Sequence, residues 1–172
     1  HYRSIWYDYQ TEKVMIIDQR WLPHDFRITQ LECTNDFAVA IRDMWVRGAP
    51  LIGATAAYGM ATAMAEDPSD KNLEKSYRFF MKTRPTAVNL RWALERCRRA
   101  MLSLMPYERY QKALDLAHGI AEEDVKNNKC IGEYGLALIK QIAAKKLSDE
   151  PVRILTHCNA GWPATVDWGT AT

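Results

Sequence analysis

A small antiparallel β-meander, then a helical bundle, then the opening of an α/β domain is the α+β arrangement that the 172-residue sequence predicts. Three observations carry this reading. Short extended runs separated by polar turns fill the first 34 residues; apolar residues recur at helical spacing from 35 to 147; and a strand-like run follows the polar turn Ser148-Asp149-Glu150-Pro151. The predicted units are a meander over 1–34, a helical part of the same N-terminal domain over 35–148, and the start of a truncated α/β domain over 152–172.

The meander is read from Ile5-Trp6-Tyr7, from Val14-Met15-Ile16-Ile17 after the turn Gln10-Thr11-Glu12, and from 27–31 beyond Pro23. The cluster Thr34-Asn35-Asp36 offers a helix N-cap, and Phe37, Ala40, Ile41 and Met44 place a first helix over about 35–45. Val46-Arg47-Gly48-Ala49-Pro50 breaks it. Pro50 suits the first turn of the next helix, where its missing N–H would have had no partner. That second helix runs to about Glu66 and is crowded with Gly53, Ala54, Ala56, Ala57, Gly59, Ala61 and Ala63. A helix apolar on nearly every face belongs in the interior. Helices over 73–81 and 87–104 follow, separated by Thr83-Arg84-Pro85-Thr86. The longest segment, 107–147, is expected to break near Asn127-Asn128-Lys129 and Gly132. Val152-Arg153-Ile154-Leu155-Thr156-His157-Cys158 then reads as a buried strand, and Asn159-Ala160-Gly161 as a strand-to-helix turn. One strand and a helix start make no sheet, so a second domain is expected to begin here without finishing.

Composition narrows the function classes. With 48% hydrophobic and 26% charged residues the chain is of globular type, and 23 Lys+Arg against 21 Asp+Glu give no basic excess for a nucleic-acid backbone. Cysteines at 33, 97, 130 and 158 lack C-x-x-C spacing, so no metal site is predicted and reduced thiols in the cytoplasm are expected. The least polar run, 49–65, is shorter than the about 20 residues that cross a bilayer, and no membrane partner is expected. The first residues lack the apolar stretch of a signal peptide, and the start of the chain is expected to be trimmed. The common nucleotide, hydrolase and zinc-protease motifs are absent.

Chemistry is read at three places. Arg47 and Arg84 each precede a helix start, where unpaired N–H groups, a partial positive charge and a guanidinium together suit a phosphate; at Gly48 the backbone can approach the anion closely. The bland alternative is a pair of ordinary helix-to-helix turns. Cys158 ends the strand-like run before a Gly-containing turn, where α/β sheets bind ligands and a following helix would favour the thiolate. Its alternative is a buried structural thiol. His157 is read as a packing or hydrogen-bonding residue, because neighbouring strand residues point to opposite faces. Arg91, Arg96, Arg98 and Arg99 are read as a solvated face and the six tryptophans as core anchors.

Three segments together resemble one family: Ile41-Arg42-Asp43-Met44-Trp45-Val46-Arg47-Gly48-Ala49-Pro50-Leu51-Ile52-Gly53, Thr83-Arg84-Pro85-Thr86-Ala87-Val88-Asn89-Leu90, and Ile154-Leu155-Thr156-His157-Cys158-Asn159-Ala160-Gly161. They are similar, in the same order, to the S-methyl-5-thioribose-1-phosphate isomerases of methionine salvage. The second segment is shared with a wider superfamily that includes ribose-1,5-bisphosphate isomerases and non-catalytic regulatory subunits of the translation-initiation guanine-nucleotide exchange factor. The resemblance implies an N-terminal domain followed by a Rossmann-like α/β domain, assembled as a cytoplasmic homodimer, acting on a sugar phosphate as an aldose–ketose isomerase without a cofactor. It carries substrate binding onto Arg47, Gly48, Ala49 and Arg84 and a catalytic role onto Cys158. It places the family's acidic proton donor outside these 172 residues, so the fragment is expected to be inactive alone. Pro163 departs from the family pattern beside Cys158. The reading requires both guanidinium corners and the Cys158 sulfur to share one cavity.

Overall fold

The structure is a computed structural model that describes residues 2–147 and 150–171; Ser148 and Asp149 of the expected interdomain turn lie outside the described residues, as do His1 and Thr172. Strands β1 (Ile5–Asp8), β2 (Lys13–Ile17) and β3 (Ile28–Leu31) form the expected antiparallel meander in the order β1-β2-β3. Ile5 pairs with Ile16 and Val14 with Leu31. Because side chains alternate along a strand, this register puts Ile5, Val14, Ile16 and Leu31 on one buried face.

Helix α1 (Thr34–Arg42) begins one residue earlier than the polar cluster suggests, because Cys33 takes the cap position. The Asp36 carboxylate accepts the N–H groups of Glu32 and Cys33 at 2.9 and 3.1 Å, which joins β3 to the helix. It also ends earlier than 45. Met44 adopts a left-handed φ of 57°, and the Trp45 N–H donates to the Ala40 carbonyl at 2.9 Å, a closing turn that satisfies otherwise orphaned carbonyls.

Helix α2 (Ala49–Glu66) is the interior helix the composition predicts, with every residue from 51 to 61 buried. Helices α3 (Asp70–Met81), α4 (Val88–Leu102) and α5 (Pro106–Ala143) enclose it together with α1 and the meander. Gly59 shows how close the enclosure is: a Cβ there would lie 2.5 Å from Phe80 Cζ and 2.9 Å from Phe37 Cβ.

Helix α5 does not break near 127–132. Asn128 is buried, and its amide donates to both the carbonyl and the carboxylate of Asp124 at 2.9 Å within the same helix, so the asparagine that signals a loop in sequence instead ties two turns together. Nor is 152–158 paired as a strand: the described residues offer it no neighbour, and Ile154 and Leu155 are 67% and 97% exposed. A backbone ladder needs a second strand, whatever the side chains favour. The tryptophans are not the core's anchors either: none is fully buried, only Trp45 packs against the core, and the core is built of aliphatic residues, alanines, methionines, Cys97, Tyr58, Phe37 and Phe80. The arginines of α4 are ion-paired as well as solvated, Arg96 to Glu123 at 2.5 Å and Arg98 to Glu74 at 2.6 Å.

Where α2, α5 and the meander meet, the Tyr58 hydroxyl lies 3.1 Å from His118 Nδ1, and the rings of Tyr7 and Tyr9 contact the imidazole. Burial holds the His118 pKa below its ordinary 6.5, against the opposing charges of Asp115 and Glu122.

This packing generates three expectations. Gly59→Ala is expected to cost ~1–2 kcal/mol in urea unfolding, because overpacking against two phenyl groups outweighs the gain in helix propensity. Gly119→Ala, in open space on α5, is expected to stabilise by up to about 1 kcal/mol. His118 favours the fold while neutral; since its folded pKa is depressed, that contribution is full above about 6.5 and declines as pH falls below it. The unfolding midpoint is therefore expected to drop between about pH 7.5 and about pH 5, and His118→Asn to flatten the drop.

Candidate functional site

The Arg47 corner is built by the way α1 stops. Its closing turn redirects the chain so that the Trp45 carbonyl accepts the Gln19 N–H at 2.8 Å, and Arg47 Nη2 donates to the Gln19 carbonyl at 3.2 Å. Next door, burial pushes the Asp18 carboxyl up, but hydrogen bonds and charge from Arg20 overcome this and hold it below the carboxylate range. Gly48 follows as the N-cap of α2, with φ 101° and ψ 137°. Only glycine adopts such a backbone without strain. Pro50 lies in the first turn as its geometry requires, and the Ile52 N–H closes onto the Gly48 carbonyl at 3.0 Å. Arg47 and Ala49 are exposed.

Arg84 is half-buried in the turn between α3 and α4, where its carbonyl accepts the Ala87 N–H at 3.0 Å and Thr83 Oγ1 donates to the Phe80 carbonyl at 2.6 Å. Asn89, the second residue of α4, packs against the second turn of α2: a Cβ on Gly53 would lie 3.2 Å from its carbonyl oxygen. The start of α4 therefore lies beside the second turn of α2.

Cys158 is exposed on the unpaired segment, with a left-handed φ of 72° that side-chain-bearing residues rarely adopt. The turn after it is a three-residue 3-10 helix, Trp162–Ala164, with Pro163 inside it. The expected helix dipole behind the thiol is thus not formed by the described residues, because three residues align too few peptide units. Pro163 is accommodated in that first turn. His157 is exposed and does not pack. By contrast, burial pushes the Cys97 thiol up to about 12, so that cysteine is part of the core and no nucleophile.

The segment after Cys158 returns to the N-terminal body at several points. Ala164 sits on Gly48, where a Cβ would come within 2.2 Å of the Ala164 carbonyl oxygen. Gln19 Nε2 donates to the Pro163 carbonyl at 2.6 Å, the Ser4 hydroxyl donates to the Thr165 carbonyl, and the Ser4 N–H donates to the Val166 carbonyl at 2.9 Å. The Val166 N–H donates to Asp124 Oδ2 at 2.7 Å. Burial raises the Asp124 pKa, opposed by the hydrogen bonds from Val166 and Asn128. Five residues lie between Cys158 and Ala164, and these six backbone steps hold the thiol-bearing residue within roughly 22 Å of Ala164, the residue seated on Gly48.

The fold thus joins Arg47, Gly48 and the turn behind Cys158 through Gln19 and Ala164. It makes no direct hydrogen bond between Arg47, Arg84 and Cys158 among the described residues. A cleft of about 240 Å3 lies elsewhere, between the meander, α2 and α5, with Tyr7, Tyr58 and Tyr110 in its wall. Ser4, Gln19 and Asp124, which organise the unit, carry no motif signal; Asn128 did stand out in sequence, but as a helix breaker.

The model of the initiation factor 2 subunit family matches residues 45–166, from the Arg47 corner through the docked turn. The chain belongs to that family. Among family relatives, methylthioribose-1-phosphate isomerase of Sinorhizobium medicae (strain WSM419) is 59% identical over all 172 residues, and the protein of the same name from Escherichia coli O45:K1 (strain S88 / ExPEC) is 52% identical over 99% of the chain. This chain covers 47% and 46% of their lengths, so it spans about half of the relatives it matches. Two solved structures superpose with TM-scores of 0.80: the translation initiation factor eIF-2B, subunit delta, from A. fulgidus, at 39% identity, and 5-methylthioribose 1-phosphate isomerase from Pyrococcus horikoshii OT3, at 36%. Each superposition covers 98% of this chain, and 48% and 47% of the respective neighbour.

Gly48→Ala is expected to lose ~2 kcal/mol or more of stability in urea unfolding, since it combines a forbidden φ with a clash against backbone. Proteolysis after residue 150 should quicken in the same variant as the 162–166 segment loosens.

Proposed function

We propose that this chain is part of an aldose–ketose isomerase that converts S-methyl-5-thio-α-D-ribose 1-phosphate to S-methyl-5-thio-D-ribulose 1-phosphate. The observation that carries the reading is identity of 59% along the whole chain to a protein of that name, together with the docking of the Cys158 segment on the Arg47–Gly48 corner. Arg47 and Arg84 hold the phosphate, with Gly48 and Ala49 shaping the start of α2 against it. A guanidinium suits this because its planar fork matches two phosphate oxygens. The ester on C1 blocks the free aldehyde, so ring opening is assisted before or during the shift of hydrogen between C1 and C2. Cys158 serves as an acid/base group or transition-state stabiliser there, and its left-handed backbone is the kind of strain that reactive positions retain. The acidic proton donor is supplied by sequence outside these 172 residues.

The reading extends to architecture. Residues 152–172 open a Rossmann-like α/β domain, in which 152–158 gains strand neighbours, and the exposed Ile131, Leu136, Ile154 and Leu155 are surface that such a domain covers. Residues 1–34 and 35–148 make up the N-terminal domain, and the complete enzyme is a cytoplasmic homodimer. A second reading, a non-catalytic regulatory subunit, is favoured by the equal superposition on the A. fulgidus structure. Identity above 50% to isomerases over the full chain weighs against it. Ribose-1,5-bisphosphate isomerase chemistry is the nearer rival.

In the complete protein, Cys158→Ala is expected to lower turnover by ~10²–10⁴-fold with the fold and substrate binding retained. Arg47→Ala and Arg84→Ala should chiefly raise KM. A coupled assay offering methylthioribose 1-phosphate and ribose 1,5-bisphosphate decides the substrate, and the 172-residue chain alone should turn over neither. Unchanged turnover in Cys158→Ala rejects the role of the thiol.

A further inference from the structure

The residue that ties the two parts of the candidate site together is Gln19, which no motif singles out. It is 2% exposed and sits just after β2. Its main chain serves the Arg47 corner: the N–H donates to the Trp45 carbonyl at 2.8 Å, and the carbonyl accepts Arg47 Nη2 at 3.2 Å. Its side chain serves the other part, donating from Nε2 to the Pro163 carbonyl at 2.6 Å. Of the other anchors of the 162–166 segment, Trp162 Nε1 donates to the Tyr2 carbonyl at 2.5 Å, and Ser4 and Asp124 bond further along, at Thr165 and Val166. Among the described residues, Gln19 alone bonds both the guanidinium and the turn that follows Cys158.

We propose that Gln19 is a positioning residue, fixing the turn behind Cys158 at a set distance from the phosphate-holding Arg47. The inference rests on the isomerase reading above. A buried amide is a costly group to leave unpaired, and so a stringent one: the turn must present a carbonyl at the right place or two buried polar groups go unsatisfied. The division of labour within Gln19 makes the effect separable. Replacing the side chain leaves the carbonyl that orients Arg47 in place, so anchoring of the phosphate persists. What is released is the turn, and with it the thiol. Misplacement of a reacting group by about 1 Å is enough to slow chemistry by up to about 100-fold while leaving the ground-state complex intact.

The test uses the complete enzyme with Gln19→Met, which keeps the side-chain length and removes the N–H donor, and Gln19→Ala as a second variant should the first fail to fold. The expected result is a fall in kcat of about 10- to 100-fold per folded molecule, with KM within about twofold of the parent. A role confined to stability would lower the melting temperature and leave both constants of the folded fraction unchanged. That outcome, or a rise in KM without a fall in kcat, overturns the inference. Absence of turnover in the parent enzyme on either sugar phosphate instead retires the isomerase reading and this one with it, so the two failures are distinguishable.

Discussion

A helix without a polar face can exist in water only if other elements enclose it, and α2 imposes that requirement on this fold. Thirteen of its eighteen residues are buried. Most are small, which lets neighbours come close, and its two buried glycines, Gly53 and Gly59, lower the intrinsic tendency to be helical. Gly59 admits Phe37 and Phe80, and Gly53 admits the start of α4. The four other helices and the meander are thereby arranged around one axis, and the ends of α2 set where their connecting turns lie.

That constraint reaches the candidate site through geometry at the first residue of the helix. Gly48 caps α2 in a conformation closed to other residues and leaves room for the backbone of Ala164. The same absent side chain therefore starts the helix and seats the segment after Cys158. Polar groups complete the seat, with Ser4 from just before the first strand, Gln19 from the turn after the second and Asp124 from α5. Because they come from three separate parts of the chain, the seat exists only once the N-terminal domain has folded, and the placement of the Cys158 turn depends on the integrity of that domain.

The surface beyond the seat has a different character. Leu138 and Ile142 in the last turns of α5, Leu147 beyond it, and Ile154 and Leu155 in the segment 150–160 are exposed, and Ile131, Leu136, Ile139 and Ile154 line one largely apolar groove. Near the other end of α5, Arg109, 3% exposed, donates to the carbonyls of Pro68 and Leu104 and to Asp70, joining the starts of α3 and α5.

Much of this was legible from residue pattern. The alternation in 5–31 fixes three strands, the helical spacing from 35 onward fixes the helices, and Gly48-Ala49-Pro50 marks a helix start by conformational rules that act within a few residues. Arg47, Arg84 and Cys158 stand out through chemistry and through family resemblance. What the sequence could not determine are the effects of partners distant along the chain. Asn128 signals a break by its local preferences, but a buried site beside Asp124 makes it a brace within an unbroken α5. The run 152–158 has the side chains of a strand, but a strand is made by its neighbour's backbone, and none is supplied among the described residues. Gln19 is an ordinary polar residue until folding carries Pro163, 144 positions away, to its amide. Local sequence decides which conformations each segment favours; tertiary structure decides which polar groups meet, since a buried hydrogen bond requires both partners to arrive at one place.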